Sequence, residues 1–284
     1  MYGMKYRELY ECGMGRLKAV EIEEASLDAR LLLEEVCGTS RNDLLAHGDE
    51  PVEEERCEAY LDFIEKRSRH IPLQHILGYQ EFMGLRFQVT GDVLIPRQDT
   101  ETLAEEVMRH LHDGMRILDL CTGSGCILLS LLKYSNHCKG VGSDLSEAAL
   151  RVAEGNARSL GLEAEFIRSD LFERITGKFE IIVSNPPYIP SGEISGLMEE
   201  VREHDPLMAL DGGEDGFFFY KKIIAQAGDY LHPGGMLFFE IGCSQGDAVS
   251  SLMRQAGYQK VRVRQDLSGL DRVVSGVYGG ENSV

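Results

Sequence analysis

The chain contains no apolar run that reaches the roughly 20 residues needed to cross a bilayer. Its densest stretch, "CILLSLL", reads as part of a buried helix, so no membrane partner is expected. The first residues, "MYGMKYRELYECG", lack the apolar core of a signal peptide. The seven cysteines include no C-x-x-C pair and their count is odd. That argues against a disulfide framework or zinc site and for reduced thiols in the cytoplasm. Internal repeats and low-complexity tracts are also missing. Basic residues are scarce: 29 Lys and Arg face 47 Asp and Glu, for a net charge of −18. A protein that grips a phosphate backbone usually presents a basic face. Direct nucleic-acid binding is therefore not expected, and a basic or neutral protein is the more compatible partner. Solubility alone is the plainer use of the same charge.

What remains is an ordinary globular composition, with 43% apolar and 27% charged residues over 284 positions. This is enough for one large domain or two smaller ones. Residues 1–77 read as helices. "SLDARLLLEEVCG" predicts a helix capped by Ser26 and ended by Gly38, with Leu27, Leu31 and Leu32 on its buried face. "PVEEERCEAYLDFIEKRSRH" predicts another, with Pro51 in its first turn and Tyr60, Phe63 and Ile64 inward. No catalytic cluster falls here, so the segment is expected to serve recognition or packing. Residues 78–95 contain "EFMGLRFQV", a β-hairpin punctuated by Gly84 and expected to link two domains. "DTETLAEEVMRHLHD" then predicts a helix capped near Asp99 or Thr100.

Residues 96–284 alternate strand and helix from about position 114 onward. Such alternation implies an α/β fold with a mostly parallel sheet covered on both faces. "YQKVRVRQDL" and "DRVVSGVY" close the chain with no helical pattern between them, so they must pair antiparallel. After the first strand of this region, "LDLCTGSGC" forms a glycine turn with Asp119, Gly123 and Gly125. A dinucleotide fingerprint would place a third glycine where Leu128 stands, which speaks against a nicotinamide or flavin dinucleotide. S-adenosylmethionine, which has no pyrophosphate, suits the turn better. Asp119 could then receive its ammonium group. Asp144, about 20 residues beyond the turn, stands where a carboxylate accepts ribose hydroxyls. Asp170 ends the third strand, where an adenine amino group can be read, and Leu171 could cover the ring. Helix capping is the alternative role for each of these carboxylates taken singly.

The fourth strand ends in "IIVSNPPYIP". Pro186 and Pro187 cannot extend a central strand, because neither donates a backbone hydrogen bond. Asn185 is held extended by the proline that follows it. Its side-chain oxygen and the Pro186 carbonyl can accept the two hydrogens of a planar NH2 group, with Tyr188 lying against that group. The nitrogen of an amide or aromatic amine is a poor nucleophile because its lone pair is delocalised. Fixing both hydrogens aims that lone pair at a sulfonium methyl, and the acceptors strengthen as charge develops on nitrogen. No metal is required, and no ligand cluster is apparent. A lone Asn-Pro-Pro would otherwise read as a stiff turn.

At this point the chain resembles the protein N(5)-glutamine methyltransferases that modify peptide chain release factors. The resemblance covers nearly the whole length, through "PLQHILGYQEFMGLRF", "VLIPRQDTE", "LDLCTGSG", "SDLF", "IVSNPPYI", "ALDGGEDGFFFY", "PGGMLFFEIG" and "DLSGLDRVVSG" in order. It implies a Rossmann-like class I methyltransferase domain with a seven-stranded sheet whose last strand is antiparallel. It implies methylation of the glutamine amide in a release factor's Gly-Gly-Gln loop, with S-adenosylmethionine as donor, by a cytoplasmic monomer. Carried over by motif, Cys121, Thr122, Gly123, Ser124, Gly125 and Asp144 hold the donor, with Asp170 and Leu171. Asn185 touches donor and substrate, and Asn185, Pro186, Pro187 and Tyr188 hold the glutamine. The helices of residues 1–77 help to dock the release factor. Cys121 stands where many members have glycine, Gln98 where a proline is frequent, and Leu171 where some have an aromatic. Other readings are a ribosomal-protein glutamine methyltransferase, an adenine N6 methyltransferase acting on nucleic acid, and a non-catalytic donor-binding adaptor. His204 and Asp205 in "VREHDP" are expected in a solvated loop, and "GFFFY" in core rather than as a base-stacking platform.

Overall fold

The computed structural model describes residues 4–280; the outermost residues of the two expected domains, 1–3 and 281–284, lie outside that range. The chain forms two compact units. The first, ending at Gly78, contains α1 (Tyr6–Ala19), α2 (Ala25–Cys37), α3 (Arg41–His47), α4 (Glu54–Arg67) and α5 (Leu73–Leu77). It also takes in a later helix, Glu199–His204. Leu9, Leu17, Ala29, Leu32, Tyr60 and Ile64 are fully buried in its core. Gly13 permits α1 to cross α4 closely: a Cβ there would lie 2.0 Å from the Tyr60 hydroxyl.

Several local expectations shift in this unit. α2 starts at Ala25 rather than at a Ser26 cap, and it buries Asp28, Ala29, Leu32, Leu33 and Cys37 while Leu27 is exposed. Of the expected face only Leu27 is exposed, since Leu32 is fully buried and Leu31 half-buried. Asp28 faces inward to a buried ion pair: Arg67 Nε donates to Asp28 Oδ2 at 2.7 Å, and Arg67 Nη2 donates to Glu200 Oε1 at 2.6 Å. Pro51 pairs as an isolated bridge with Lys5, three residues before α4 begins. Tyr60 and Ile64 are buried as expected, and Phe63 is half-buried. Gly38 ends α2 in the left-handed region, with φ 64°.

The second unit runs Tyr79–Met198 and from Asp205 onward. It opens with the hairpin β1 (Tyr79–Phe82) and β2 (Leu85–Gln88). Expected as a linker, the hairpin packs inside this unit, with Phe82 and Phe87 buried among Leu103, Val107 and Leu131. There follow α6 (Glu101–Met108), β3 (Arg116–Leu120), α7 (Cys126–Lys133), β4 (Lys139–Asp144), α8 (Glu147–Leu160), β5 (Glu165–Arg168) and β6 (Phe179–Ser184). The helix Glu199–His204 of the first unit is α9, and α10 (Leu207–Leu210), α11 (Phe218–Ala227), β7 (Leu231–Glu240), α12 (Gly246–Gln255), β8 (Tyr258–Gln265) and β9 (Asp271–Tyr278) complete the chain. A short 3₁₀ turn over Gln98–Thr100 leads into α6, whose cap residue Thr100 makes no capping bond.

Among the described residues the main sheet has seven strands in the order β5-β4-β3-β6-β7-β9-β8. Every pairing from β5 to β7 is parallel, and β9 runs antiparallel to both β7 and β8. Alternation of side chains along β6 explains the two-sided cover. Ile182 joins a core with Leu118, Leu120, Tyr220, Phe239 and Met253, whereas Ile181 and Val183 join one with Ile117, Leu103, Leu128 and Phe238. Each such burial contributes about 1.5–3 kcal/mol. Helices on both faces leave the carboxyl ends of the strands as the place where loops converge.

Candidate active site

Strands β3, β4 and β5 build outward on one side of β3, and β6 starts the other side. The strand order therefore reverses between β3 and β6, and a crevice opens beyond their carboxyl ends. Register fixes what lines it. Leu120 pairs with Ser143 and with Ser184, so Cys121, Asp144 and Asn185 leave three adjacent strands at one level. Ser184 Oγ donates to the Leu120 carbonyl at 2.8 Å and ties β6 to β3 just beneath. The cavity above has a volume of about 570 Å³, within the range of small-molecule sites, about 300–1,000 Å³.

Of the residues expected from sequence, Cys121, Thr122, Gly123, Ser124, Asp144, Asp170, Leu171, Asn185 and Pro187 line this one cavity. Gly125, Pro186 and Tyr188 do not. Gly125 begins α7 with φ 79° and faces Ala153 of α8. Pro186 is buried, and Tyr188, half-buried, donates its hydroxyl to Glu240 Oε1 at 3.4 Å. Asp119 corrects an expectation. It is fully buried with Thr122 Oγ1 donating to its Oδ2 at 2.7 Å, and it is not among the lining residues, so it braces the turn from beneath. Burial raises its carboxyl to about 7.

The glycine turn is held from several sides. Gly123 N donates to Asp144 Oδ2 at 3.0 Å and Ser146 N donates to Oδ1 at 2.9 Å. Asp144 thus holds Ser146, the N-cap of α8, and also orients the turn, and each of its oxygens keeps a further lone pair. Burial raises its pKa against those two bonds. Buried Asn156 of α8 donates to the Ser124 carbonyl at 2.9 Å and to the Gln88 carbonyl at 3.1 Å, which pins turn and hairpin together. Cys121 has φ 60° and Leu171 φ 48°, left-handed values that glycine takes without cost. Burial, then the nearby Asp144 and Asp119 charges, push the Cys121 thiol up, so it stays a neutral wall of the cavity.

The support for Asn-Pro-Pro-Tyr comes from far along the chain. Gln245, buried, donates Nε2 to the Tyr188 carbonyl at 3.1 Å and to the Gly216 carbonyl at 3.3 Å. Its Oε1 accepts from Gly242 N at 2.9 Å and from the Tyr220 hydroxyl at 3.3 Å. The segment "DGGEDG" packs directly beneath: a Cβ at Gly212 would lie 2.7 Å from Tyr188 Cα, and one at Gly216 would lie 2.5 Å from the Tyr188 carbonyl oxygen. Backbone approach at that distance excludes any side chain. Ile189 completes the seat, donating to the Leu210 carbonyl and accepting from Gly212 N at 2.8 Å.

Residues given no site role from sequence also face the cavity: Leu94, Pro96, Arg97, Thr100, Leu207, Met208 and Phe219. Asp205 is no solvated loop residue. It is buried and accepts from Arg97 Nη2 at 2.6 Å. "GFFFY" divides its roles: Tyr220 is fully buried, Phe219 lines the cavity and Phe218 is exposed. Periodicity cannot reveal these placements, since they depend on which loops the sheet brings together.

The chain is 40% identical over 274 residues to the release factor glutamine methyltransferase of Geobacter sulfurreducens, covering 96% of each protein. This chain belongs to the release factor glutamine methyltransferases. The family member of Clostridium acetobutylicum is 38% identical over 284 residues, covering 98% of this chain and all of that one. Residues 8–78 match the PrmC N-terminal domain and residues 98–201 the methyltransferase small domain. A methyltransferase from Pyrococcus furiosus shares the fold, with a TM-score of 0.52, 17% identity, and coverage of 70% of this chain and 91% of that one. Cys121 sits at φ 60°, a conformation in which glycine is the less strained residue. Gln98 falls in the 3₁₀ turn, outside the cavity lining. Among the described residues no group of His, Cys, Asp and Glu could hold a metal ion, and no helix is long and apolar enough to cross a membrane.

Proposed function

We propose that this chain transfers a methyl group from S-adenosylmethionine to the side-chain amide nitrogen of the glutamine in a release factor's Gly-Gly-Gln loop. One observation carries the reading: Asn185 opens into the same cavity as Asp144 and Asp170, at the reversal point of the sheet. The donor set fits. Asp144 retains acceptor capacity for a ribose diol, Asp170 for an exocyclic amine, and buried Leu171 offers an apolar surface to a base. Asp92, Asp144, Asp170 and Asp211 line the cavity against Arg97, so its field favours a cationic ligand over a neutral thioether product. S-adenosylmethionine supplies, when bound, an electrophilic methyl on a positive sulfur.

This chain's residues supply position. In this reading the Asn185 side-chain oxygen and the Pro186 carbonyl, the latter from a buried residue outside the cavity lining, accept the two amide hydrogens, which keeps the reluctant lone pair directed along one line. As the nitrogen becomes positive, both acceptors bind it more strongly than in the ground state, and that difference is catalysis. Rigidity of the pair depends on the Gln245 bonds and the glycine seat described above. The proton leaves after transfer, so no strong base is needed. Tyr188, tied to Glu240, acts from behind the Asn-Pro-Pro segment in this reading. Gly125 sets the turn rather than touching the donor. Docking of the release factor is assigned to the helical unit ending at Gly78, and the enzyme is read as a cytoplasmic monomer that binds no nucleic acid. Incubation with labelled donor and, side by side, a release factor, a ribosomal protein and DNA tests the reading. Label on the glutamine of Gly-Gly-Gln, located by mass spectrometry, is the expected result; label only on another substrate refutes it.

A further inference from the structure

Among the described residues, Arg97 is the sole cationic side chain lining the cavity. Its side chain is 43% exposed, whereas that of its partner Asp205 is 1% exposed, so a buried carboxylate holds a half-open arginine. One hydrogen bond, Nη2 to Asp205 Oδ2 at 2.6 Å, holds one arm of the fork. An arginine carries five N–H donors in a rigid plane, which leaves the rest of the fork for another acceptor. Arg97 follows Pro96 in "IPRQDTE", and that segment is itself anchored, since Arg272 Nη2 reaches Asp99 at 3.1 Å. A fork fixed at both ends of its support is preorganised for a planar acceptor rather than free to screen charge.

Position decides which acceptor. Asp205 precedes Pro206, Leu207, Met208 and Ala209, and all four line the cavity. Those residues lead into α10, whose Leu210 carbonyl accepts from Ile189 N at 3.1 Å, directly after Tyr188. The Arg97–Asp205 pair therefore stands at the Asn-Pro-Pro-Tyr end of the cavity. At that end the proposed substrate presents Gly-Gly-Gln. Its two glycines offer no side chain, so the only polar handles beside the glutamine are peptide groups.

We propose that Arg97, held by Asp205, is a specificity-determining residue that donates to main-chain carbonyls of the protein substrate beside the target glutamine. Asp205 is then a positioning residue. The inference rests on the proposed function, and wild-type transfer to a release factor, measured first, tests that function by itself. The variants Arg97→Gln, Arg97→Lys and Asp205→Asn are then compared with wild type in the full-length protein. The donor Kd is measured by calorimetry, and KM and kcat with whole release factor.

Arg97→Gln is expected to raise KM for the release factor tenfold or more while the donor Kd stays within twofold. Arg97→Lys, which keeps the charge but loses the fork, should recover only part of that loss. Asp205→Asn should raise KM several-fold with the donor Kd unchanged. An unchanged donor Kd also certifies that each variant is folded. A tenfold weaker donor Kd with an unchanged KM overturns the proposal and gives the fork to the donor carboxylate. Unchanged constants in all three variants overturn it too, as does a common loss of both constants with a lower melting temperature.

Discussion

Gln245→Glu changes one nitrogen to oxygen and nothing in size, yet it reverses the polarity of the contact that seats the active segment. In the native protein Nε2 donates to two carbonyls, of Tyr188 at 3.1 Å and of Gly216 at 3.3 Å. A carboxylate there donates nothing and faces both oxygens with negative charge. Each orphaned buried acceptor costs about 1–3 kcal/mol, and the pair, with the Tyr188 carbonyl only partly screened, should cost about 3 kcal/mol in stability. For a unit of this size that is a fall of about 6–12 °C in melting temperature. The loss should depend on pH. An ordinary glutamate titrates near about 4.3, and burial against two carbonyls raises the introduced carboxyl above that. Its protonated form can donate one bond. The deficit relative to wild type is therefore smallest below the unfolded value and grows as pH rises through the folded one. The same displacement loosens Asn185, and a shift approaching 1 Å should slow transfer by about 10²-fold. Thermal melts at pH 5 and pH 8, with labelled-methyl transfer at pH 8, check both parts. Equal melting deficits at the two pH values, or near-normal turnover, would refute the reasoning that Gln245 acts as a donor under Tyr188.

Asn185→Ala should leave donor binding nearly intact but slow transfer by about 10²-fold, or about 3 kcal/mol; single-turnover kinetics with saturating donor checks it. Asp144→Ala should weaken donor binding by about 1.5–3 kcal/mol, the scale of hydrogen bonds to a charged group, as read by calorimetry. It should also lower the melting temperature, because Gly123 N and Ser146 N lose their acceptor. Glu240 is buried and its carboxyl is raised from 4.5 to about 7, chiefly by desolvation. Its folded state prefers the proton, so the stability it contributes is present below 4.5 and is lost as pH rises through about 7. Wild type should therefore lose roughly 1 kcal/mol from this group between about pH 6 and pH 8.5, and Glu240→Gln should flatten that slope in thermal melts across the range.

Local pattern was sufficient for much of this protein. Alternating apolar runs between glycine and proline signals determined the strands and helices of the second unit, because period and punctuation are properties of neighbouring residues. The final antiparallel pair followed from a connection too short for a crossover. The cluster of Asp144, Asp170 and Asn185 could be read as well, since each ends a strand and a parallel sheet brings those ends to one edge. Tertiary structure alone decided the rest. The Arg67 fork joins Asp28 to Glu200, a contact 133 residues distant that draws Glu199–His204 into the helical unit. Arg97 meets Asp205 across 108 residues, and Gln245 reaches Tyr188 across 57. Asp119 turns inward onto Thr122, and the glycines of "DGGEDG" lie against a segment that precedes them by some two dozen positions. Such contacts are fixed by strand register and loop approach, which depend on the whole sheet having closed. A sequence shows which residues stand at the edge of the sheet; only the packed chain shows which of them face the cavity and what holds them there.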